Sequence, residues 1–298
     1  MERPANQRGR IGRRTLLKTA AVVASSSLTT GIGSVSASES QRVHAGGSSE
    51  IGDGAVTAYA TTTSDGTLSS LGVHFDDAAI DALGEEEVAV PLAFPSETAN
   101  GDALDLHQFT FAQVNYLPDG HWPEGVYDVP HVDTQFFMRD QSTVTGIKER
   151  PATYSIPAAR MPTDHIRPPA IDTTDDGEPD TPLVEAGRGE PIADPNATEH
   201  QEDGEFTQTH IYGAAEPDGD GKGEIILFEP MVALDYVKQL DTVVDASLKT
   251  PNEYFTADEY PTSYVVQPDN DNGVSIRLTD FESFPGTAVV GPVPSRRR

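Results

Sequence analysis

Short runs in which apolar residues alternate with polar ones recur along most of the chain, separated by turn-forming Gly, Pro and Asp residues. Alternation with a period of two is typical of a β-strand that buries one face. The pattern predicts strands at 54–59, 67–75, 88–94, 106–116, 129–138, 206–212, 224–228, 264–266 and 274–278. It predicts helices at 76–83, with Asp76 as the N-cap, and at 232–240, and a short helical piece before Arg150.

The order of these elements predicts an α+β fold. It is a β-rich single domain, built mostly of antiparallel sheet with two or three short helices. About 240 residues remain once the two ends are set aside, which suffices for one sizeable domain. The strands do not alternate with helices, and no glycine-rich phosphate loop is present, so the sequence disfavours nucleotide binding.

The N-terminal residues are typical of an export signal. Arg13 and Arg14 precede a mildly apolar stretch at 19–32, and Val35-Ser36-Ala37 resembles a signal-peptidase cleavage site that ends at Ala37. Paired arginines in this position indicate the twin-arginine route, which exports folded proteins. The apolar stretch is too short and too rich in Ser and Thr to span a bilayer. We therefore expect a secreted or extracytoplasmic protein that is not held at the membrane after cleavage.

Composition divides the chain into four parts and one irregular segment. The predicted parts are a signal peptide at 1–37, a flexible linker at 38–50, the β-rich domain at 51–286 and a disordered tail at 287–298. Within the domain, residues 167–205 are rich in proline and acidic residues and poor in large apolar groups. They predict a long acidic excursion over the surface.

The charge balance limits the partners. The chain has 48 acidic and 20 basic residues, a net charge of −28, and no cysteine. A surface this acidic repels nucleic acid and anionic membranes, and its even spread favours adaptation to concentrated salt, as in halophilic organisms. The absence of cysteine excludes disulfides, thiolate metal sites and a lipid-attachment thiol.

Candidate chemistry is concentrated between positions 107 and 138. If 106–116 and 129–138 form a hairpin, His131 and Asp133 share one face, opposite Asn115 and Gln113. His121 lies in the connecting loop and can fold back over His131, whereas His107 is left at the far end of the ladder. Two imidazoles and a carboxylate suit zinc, manganese or iron, or proton transfer. A hydrogen-bonded turn without such chemistry is the alternative.

The spacing in this region also resembles the start of the first cupin motif. Gly125 is followed after five residues by His131-Val132-Asp133, although Asp133 replaces the second histidine and the later glutamate is missing. A cupin-like metal-dependent enzyme that uses His121, His131 and Asp133 is therefore the alternative function. No G-x-S-x-G elbow is present, so a serine hydrolase is not indicated.

Two acidic loops have the spacing of calcium loops. Carboxylate or hydroxyl oxygens at alternate positions with a glycine at the bend are the arrangement that calcium prefers. Both loops lack the closing bidentate carboxylate, since the twelfth positions are Leu183 and Leu227. The candidate ligands are Asp172, Thr174, Asp176 and Asp180 in the first loop, and Glu216, Asp218, Asp220 and Glu224 in the second.

Four segments resemble a known family. They are Pro118-Asp-Gly-His-Trp-Pro-Glu-Gly-Val-Tyr-Asp-Val-Pro-His-Val-Asp133, Met161-Pro-Thr-Asp-His165, Phe206-Thr-Gln-Thr-His-Ile-Tyr-Gly213 and Phe228-Glu-Pro-Met231. The family consists of uncharacterised exported proteins of halophilic archaea and bacteria, and includes a sigma-E-controlled periplasmic protein of Thermus. The resemblance covers about residues 65–286 and implies one compact β-rich domain outside the cytoplasm that self-assembles. It carries no established activity.

The resemblance adds His165 to the candidate ligands. It also shows that this chain has Gln135 at a position where the family often has a histidine. The resulting expectation is an extracytoplasmic protein with a structural or binding role, not an enzyme, that self-assembles into a homo-oligomer. It holds a divalent ion at His121, His131, Asp133 and His165. The cofactor is then zinc, manganese or iron, or calcium in the acidic loops, and the sequence does not identify a small-molecule ligand.

Overall fold

The computed structural model describes residues 41–269 and 272–287. The signal peptide with Arg13, Arg14 and Ala37, and the tail beyond residue 287, lie outside this range. In the described part of the chain the strands are β1 Arg42–Ile51, β2 Gly54–Thr62, β3 Leu68–Phe75, β4 Val88–Ala93, β5 Phe111–Leu117, β6 His131–Phe137, β7 Arg150–Pro151, β8 Pro169–Ile171, β9 Thr181–Val184, β10 Glu190–Ile192, β11 Gln208–Ala215, β12 Glu224–Ala233, β13 Val244–Ser247, β14 Asp258–Pro268 and β15 Val274–Phe284. The α-helices are α1 Asp77–Ala82, α2 Gln141–Gly146 and α3 Leu234–Gln239.

Two six-stranded antiparallel sheets carry the fold. The first sheet has the order β1-β2-β3-β15-β14-β13, and the second has the order β10-β11-β12-β6-β5-β4. A small sheet, β7-β9-β8, lies beside them. Strand accounts for 46% of the described residues and helix for 10%, which confirms the predicted β-rich fold with few short helices. None of the helices in the described ranges is long and apolar enough to span a membrane.

The main core lies between the two large sheets. Val73 and Ile276 of the first sheet belong to the same buried cluster as Val114, Phe136 and Phe228 of the second. Because side chains alternate along a strand, each sheet contributes every second residue to this layer. We call the side of the second sheet that meets this layer its inner face, and the opposite side its outer face.

The predicted helix at 76–83 forms as α1. The Asp76 carboxylate accepts a hydrogen bond from the backbone N–H of Ala79 at 2.7 Å, which caps the first turn. The helix predicted at 232–240 begins two residues later, because β12 continues to Ala233 before α3 starts.

The linker predicted at 38–50 is wrong over its described part, because residues 42–51 form β1 and pair with β2. The glycines and serines that suggested flexibility have a packing reason instead. A Cβ atom on Gly46 would lie 2.4 Å from the carbonyl oxygen of Ala93, so this edge of the sheet admits only the smallest residue. Strand β4 crosses close to β1 at this point.

The segment 167–205 lies on the surface over part of its length, since residues 173–180 and 201–205 are exposed. It contains β8, β9 and β10, and β10 joins the second sheet by pairing with β11. Glu190 is fully buried, and its carboxylate accepts a hydrogen bond from Arg167 Nη2 at 2.8 Å. A buried carboxylate paired with an arginine explains how so polar a segment becomes part of the domain.

Candidate metal centre

Two of the predicted ligands, His131 and Asp133, lie on β6 in the middle of the second sheet, on its outer face. His131, Asp133 and Gln135 alternate along β6 with the core residues, and all three are buried. The register pairs Asp133 with Asn115 of β5 and with Met231 of β12. The predicted pairing of Asp133 with Gln113 is therefore two residues out of register, and the even shift leaves each side chain on its predicted face.

Two loops cover this outer face. Tyr127 from the loop at 118–130 and Phe206 from the segment before β11 form a buried cluster with Ile211, Met231 and Ala233. The Phe206 ring centroid lies 5.4 Å from that of His131. Because these two loops cover the outer face, its polar side chains are as buried as the apolar side chains of the core.

The loop at 118–130 places His121 over the strand. Its closure requires Gly120, which has a φ of +65° and whose added Cβ would lie 2.0 Å from the Tyr127 carbonyl oxygen. The backbone N–H of His121 donates to that same oxygen at 2.9 Å. The ring centroids of His121 and His131 are consequently 4.8 Å apart. Sequence reasoning predicted this fold-back of His121 over His131.

Each imidazole is oriented by a backbone carbonyl. His121 Nδ1 lies 2.6 Å from the Trp122 oxygen, and His131 Nδ1 lies 2.8 Å from the Val129 oxygen. A carbonyl only accepts, so both Nδ1 atoms carry a proton and donate it. When either ring is neutral, its lone pair is therefore on Nε2, which is the arrangement that metal-ligating histidines adopt.

The free donor atoms converge. His131 Nε2 lies 3.2 Å from Asp133 Oδ1, and His121 Nε2 lies 3.9 Å from Asp133 Oδ2. Within the described residues, both Nε2 atoms and both carboxylate oxygens are buried without a hydrogen-bond partner. The ligand atoms of these three side chains all lie within 4.8 Å of one another. In residues 41–269 and 272–287, no other set of three or more His, Asp or Glu side chains meets this criterion.

The electrostatics of the three groups follow from burial and proximity. Burial lowers the pKa of His131, but its contact with Asp133 outweighs this and leaves the pKa raised. Burial raises the pKa of Asp133, and the attraction of His131 and Arg188 outweighs it, so the carboxyl stays ionised. Burial lowers the pKa of His121. The cluster thus holds an anionic carboxylate beside one imidazole that readily stays neutral.

A second set of polar residues borders the cluster, and sequence reasoning missed it. Glu229 of β12 is fully buried, and its Oε1 accepts hydrogen bonds from Gln135 Nε2 at 2.9 Å and from Arg188 Nη2 at 2.6 Å. Burial, with a contribution from Asp133, raises the pKa of Glu229 to about 7. Glu229 stands alone as a charged residue between Ile225 and Ala233, a run otherwise apolar, and this was the available signal.

Tyr127 lies on the remaining side of the cluster formed by His121, His131 and Asp133. Its hydroxyl donates to Glu199 Oε1 at 3.0 Å and lies 3.2 Å from His200 Nε2. Burial and the charge of Glu199 raise the pKa of this phenol, so it stays protonated. Tyr127 therefore packs through its ring in the buried cluster and keeps its polar tip hydrogen-bonded.

His165 does not join the cluster. Its ring packs on Tyr212, with centroids 5.4 Å apart, and Tyr212 belongs to the core between the sheets. His165 therefore lies on the inner face of the second sheet, and the predicted four-ligand set is wrong in this member. His107, which strand parity had removed, lies 3.1 Å from Asp258 and also belongs to another part of the molecule.

The acidic residues of the predicted calcium loops have other partners. In the first loop, Asp172 accepts hydrogen bonds from the backbone N–H groups of Asp175 and Gly177, and Asp180 accepts from Thr173 and Thr174. A carboxylate that bonds its own loop forms an Asx-type turn without an ion. The side chains of Thr174 and Asp176 are not part of this pairing, although Asp176 accepts from the N–H of Glu178.

In the second loop, Glu224 is buried and accepts a hydrogen bond from Arg139 Nε at 2.7 Å, and Asp218 lies 3.7 Å from the same arginine. Glu216 accepts from the N–H of Gly221, and Asp220 from that of Lys222. Neither loop brings three carboxylates together within the described residues. Calcium binding at these loops stays a prediction.

Comparison of the chain with protein-family models, curated proteins and solved structures gives no match. The chemistry of the site therefore has to be inferred from its own geometry.

Proposed function

We propose that this is an exported protein that binds one divalent transition-metal ion through His121, His131 and Asp133. One observation carries the proposal. Three side chains from one strand and one preformed loop aim buried donor atoms at each other without hydrogen-bond partners. Buried polar atoms in a folded protein nearly always have partners, so a missing ion is a sufficient reason for this exception.

The donor set fits zinc, manganese or iron(II). Two neutral imidazole nitrogens and one carboxylate are borderline and hard ligands, which suit these ions rather than copper(I) or calcium. Ligand atoms on a tetrahedral zinc are separated by about 3.3 Å, because each lies about 2.0 Å from the ion. His131 Nε2 lies 3.2 Å from Asp133 Oδ1, His121 Nε2 lies 3.9 Å from Oδ2, and the three ligand atoms lie within 4.8 Å of one another, so an inward movement of these side chains brings them to that spacing.

The proposed role is structural or binding. An ion at this position joins the loop at 118–130 to the middle of the second sheet and adds positive charge beside Asp133. Since a ligand that binds only the folded state stabilises it, zinc at about 100 times its Kd raises the free energy of unfolding by about 2.7 kcal/mol. Export in a folded, ion-loaded form is consistent with the paired arginines at 13 and 14.

The test is a zinc titration of the chain purified without a polyhistidine tag and stripped with a chelator. We expect one equivalent to bind in calorimetry, and a higher Tm. Asp133→Asn keeps the shape of the side chain, removes its charge and is expected to abolish binding. Asp128→Asn is the matched control, because Asp128 is an exposed carboxylate in the same loop that bonds only the N–H of Gly125.

The proposal fails if the chain binds no zinc, manganese or iron(II) with a one-to-one stoichiometry. It fails equally if Asp133→Asn, shown to be folded by circular dichroism, binds as tightly as the wild type. An Asp128→Asn variant that loses the ion would place the ligands elsewhere in the loop.

A metal-dependent enzyme that uses the same three residues is the second candidate. One observation favours it: three protein ligands leave at least one coordination position for a non-protein ligand, as catalytic sites do, whereas structural zinc sites have four. Screening the zinc-loaded chain against ester and phosphoester substrates, with Asp133→Asn as the blank, separates this candidate from a purely structural ion.

A further inference from the structure

Beside the metal centre, two more buried acceptor atoms are without partners. They are Gln135 Oε1 and Glu229 Oε2, and both residues belong to the outer face of the second sheet. Gln135 is the next residue after Asp133 on the same face of β6, and Glu229 lies across from Gln135 on β12. Buried acceptors without donors are costly, so this pair indicates a missing hydrogen-bond donor rather than a missing cation alone.

The orientation of this pair is fixed by its other contacts. Gln135 Nε2 and Arg188 Nη2 both donate to Glu229 Oε1, and Arg188 is held in turn by Glu185 at 3.3 Å. Arg188 can only donate, so Glu229 Oε1 is an acceptor, and the amide nitrogen of Gln135 is the atom that meets it. The amide oxygen of Gln135 and the second oxygen of Glu229 are thereby left as two acceptors held in place by their neighbours.

We propose that Gln135 and Glu229 form a ligand subsite next to the metal ion, and this inference rests on the metal centre proposed above. The subsite takes a small oxygen ligand that coordinates the ion and carries O–H or N–H groups. Water, hydroxy acids, hydroxamates and amides belong to this class. The three protein ligands leave the coordination position, and the two acceptors receive the ligand's hydrogens.

The two acceptor atoms of the subsite make it selective. A carboxylate or azide ion can coordinate a metal but offers no hydrogen to Gln135 or Glu229. A neutral hydroxamic acid that coordinates the ion through its carbonyl oxygen keeps its O–H and N–H groups, which can donate to both acceptors. Sites built around hydrogen-bond acceptors discriminate strongly against ligands that lack the donor, because the acceptors are then left buried and unpaired. We therefore expect acetohydroxamate to bind far more tightly than acetate.

Glu229→Gln reverses the polarity of the subsite without changing its shape. The oxygen of the new amide must face the donors Gln135 Nε2 and Arg188 Nη2, so its nitrogen is turned to where the ligand's hydrogens lie. Two donors then oppose each other. The matched control is Glu224→Gln, the same change on the same strand at a residue that is equally buried and also paired with an arginine, Arg139.

The experiment uses the cobalt-loaded chain, whose visible absorption reports both the ion and any small ligand on it. Acetohydroxamate and azide are titrated separately into the wild type, Glu229→Gln and Glu224→Gln. We expect Glu229→Gln to weaken acetohydroxamate about tenfold or more, because a hydrogen bond to a charged group is lost. Azide, which donates nothing, is expected to bind Glu229→Gln no more weakly than the wild type, and Glu224→Gln is expected to match the wild type with both ligands.

The outcomes separate this inference from the metal centre itself. If the wild-type chain shows no cobalt absorption bands, the metal centre fails and the subsite fails with it. If cobalt binds but Glu229→Gln leaves the affinity for acetohydroxamate unchanged, or weakens azide equally, the subsite alone is overturned. The same holds if Glu224→Gln weakens acetohydroxamate as much as Glu229→Gln, since the loss then reports general stability.

Discussion

The two faces of the second sheet both carry histidines, and they use them differently. On the outer face, His121 and His131 converge with Asp133, and their Nε2 atoms have no partner in the described residues. On the inner face, the Nε2 atom of His210 is also buried without a partner, but its ring packs among aromatic rings, with centroids 4.5 Å from Tyr212 and 5.9 Å from Tyr264. The difference shows that a site is defined by which donor atoms meet on one face, and not by the number of histidines in a sequence segment.

The largest effect is expected from the aromatic packing of the inner face. Phe136 is fully buried between the sheets and stacks on Phe94. Truncation to alanine leaves a cavity, and Phe136→Ala should lower the free energy of unfolding by about 3–5 kcal/mol in a denaturant titration. The zinc affinity of the folded fraction should stay within a few-fold of the wild type. A parallel loss of zinc would show that the two faces are not independent.

The next effect compares one histidine from each face. His131 and His165 both direct Nδ1 to a backbone carbonyl at 2.8 Å, and both are next to an aromatic ring. His131→Gln should weaken zinc by more than about 100-fold, since even residues that only support a ligand are worth 10–100-fold. His165→Gln should leave the affinity unchanged in the same calorimetric titration. Equal losses would restore His165 as a ligand.

A smaller effect is expected on how the free energy of unfolding depends on pH. Burial, with a contribution from the charge of His165, holds the pKa of His210 well below 6.5, whereas the unfolded chain titrates at about that value. The unfolded state therefore binds a proton first, and stability falls as the pH drops below 6.5, by up to about 1.4 kcal/mol per pH unit. His210→Leu should flatten this slope in urea titrations between pH 7.5 and 5. An unchanged slope would assign the acid sensitivity to other groups.

The smallest effect is expected at the acidic loops, which contrast with Asp133. Hydrogen bonds from Thr173 and Thr181 hold the pKa of Asp180 below its usual value, and the side chain is exposed. Because its oxygens already have donors, calcium should produce no measurable rise in Tm at the high salt that suits this chain. A calcium-dependent rise that Asp180→Asn removes would establish the first loop as a calcium site.

The part of the site that could be predicted from the sequence is the part that depends on local geometry. His131 and Asp133 are two residues apart, so they share a face of any strand, and the pairing register changes nothing about that. The predicted register between β5 and β6 differs from the observed one by two residues. The register depends on how many residues pair before the loop at 118–130 begins. Leu117 pairs with His131, which no local pattern indicates.

Residues distant in sequence could not be placed by the same reasoning. His165 lies outside the strands, so its face follows from tertiary packing and not from alternation. Arg188 and Glu229 come from segments 41 residues apart and meet only in the folded sheet. The composition around Gly46 predicts a flexible linker, whereas these residues form β1 and the close approach of Ala93 requires their small size.

The turn at Gly120 has a consequence for how fast an ion exchanges. The positive φ of Gly120 and the hydrogen bond from the His121 N–H to the Tyr127 carbonyl fix the loop before any ion arrives. His121 is also the one ligand with appreciable exposure, at 25% of its side chain. Ions should therefore enter and leave at the His121 edge without refolding of the loop, and little conformational entropy is lost on binding. A Gly120→Ala variant, with every ligand intact, should bind more weakly by releasing zinc faster.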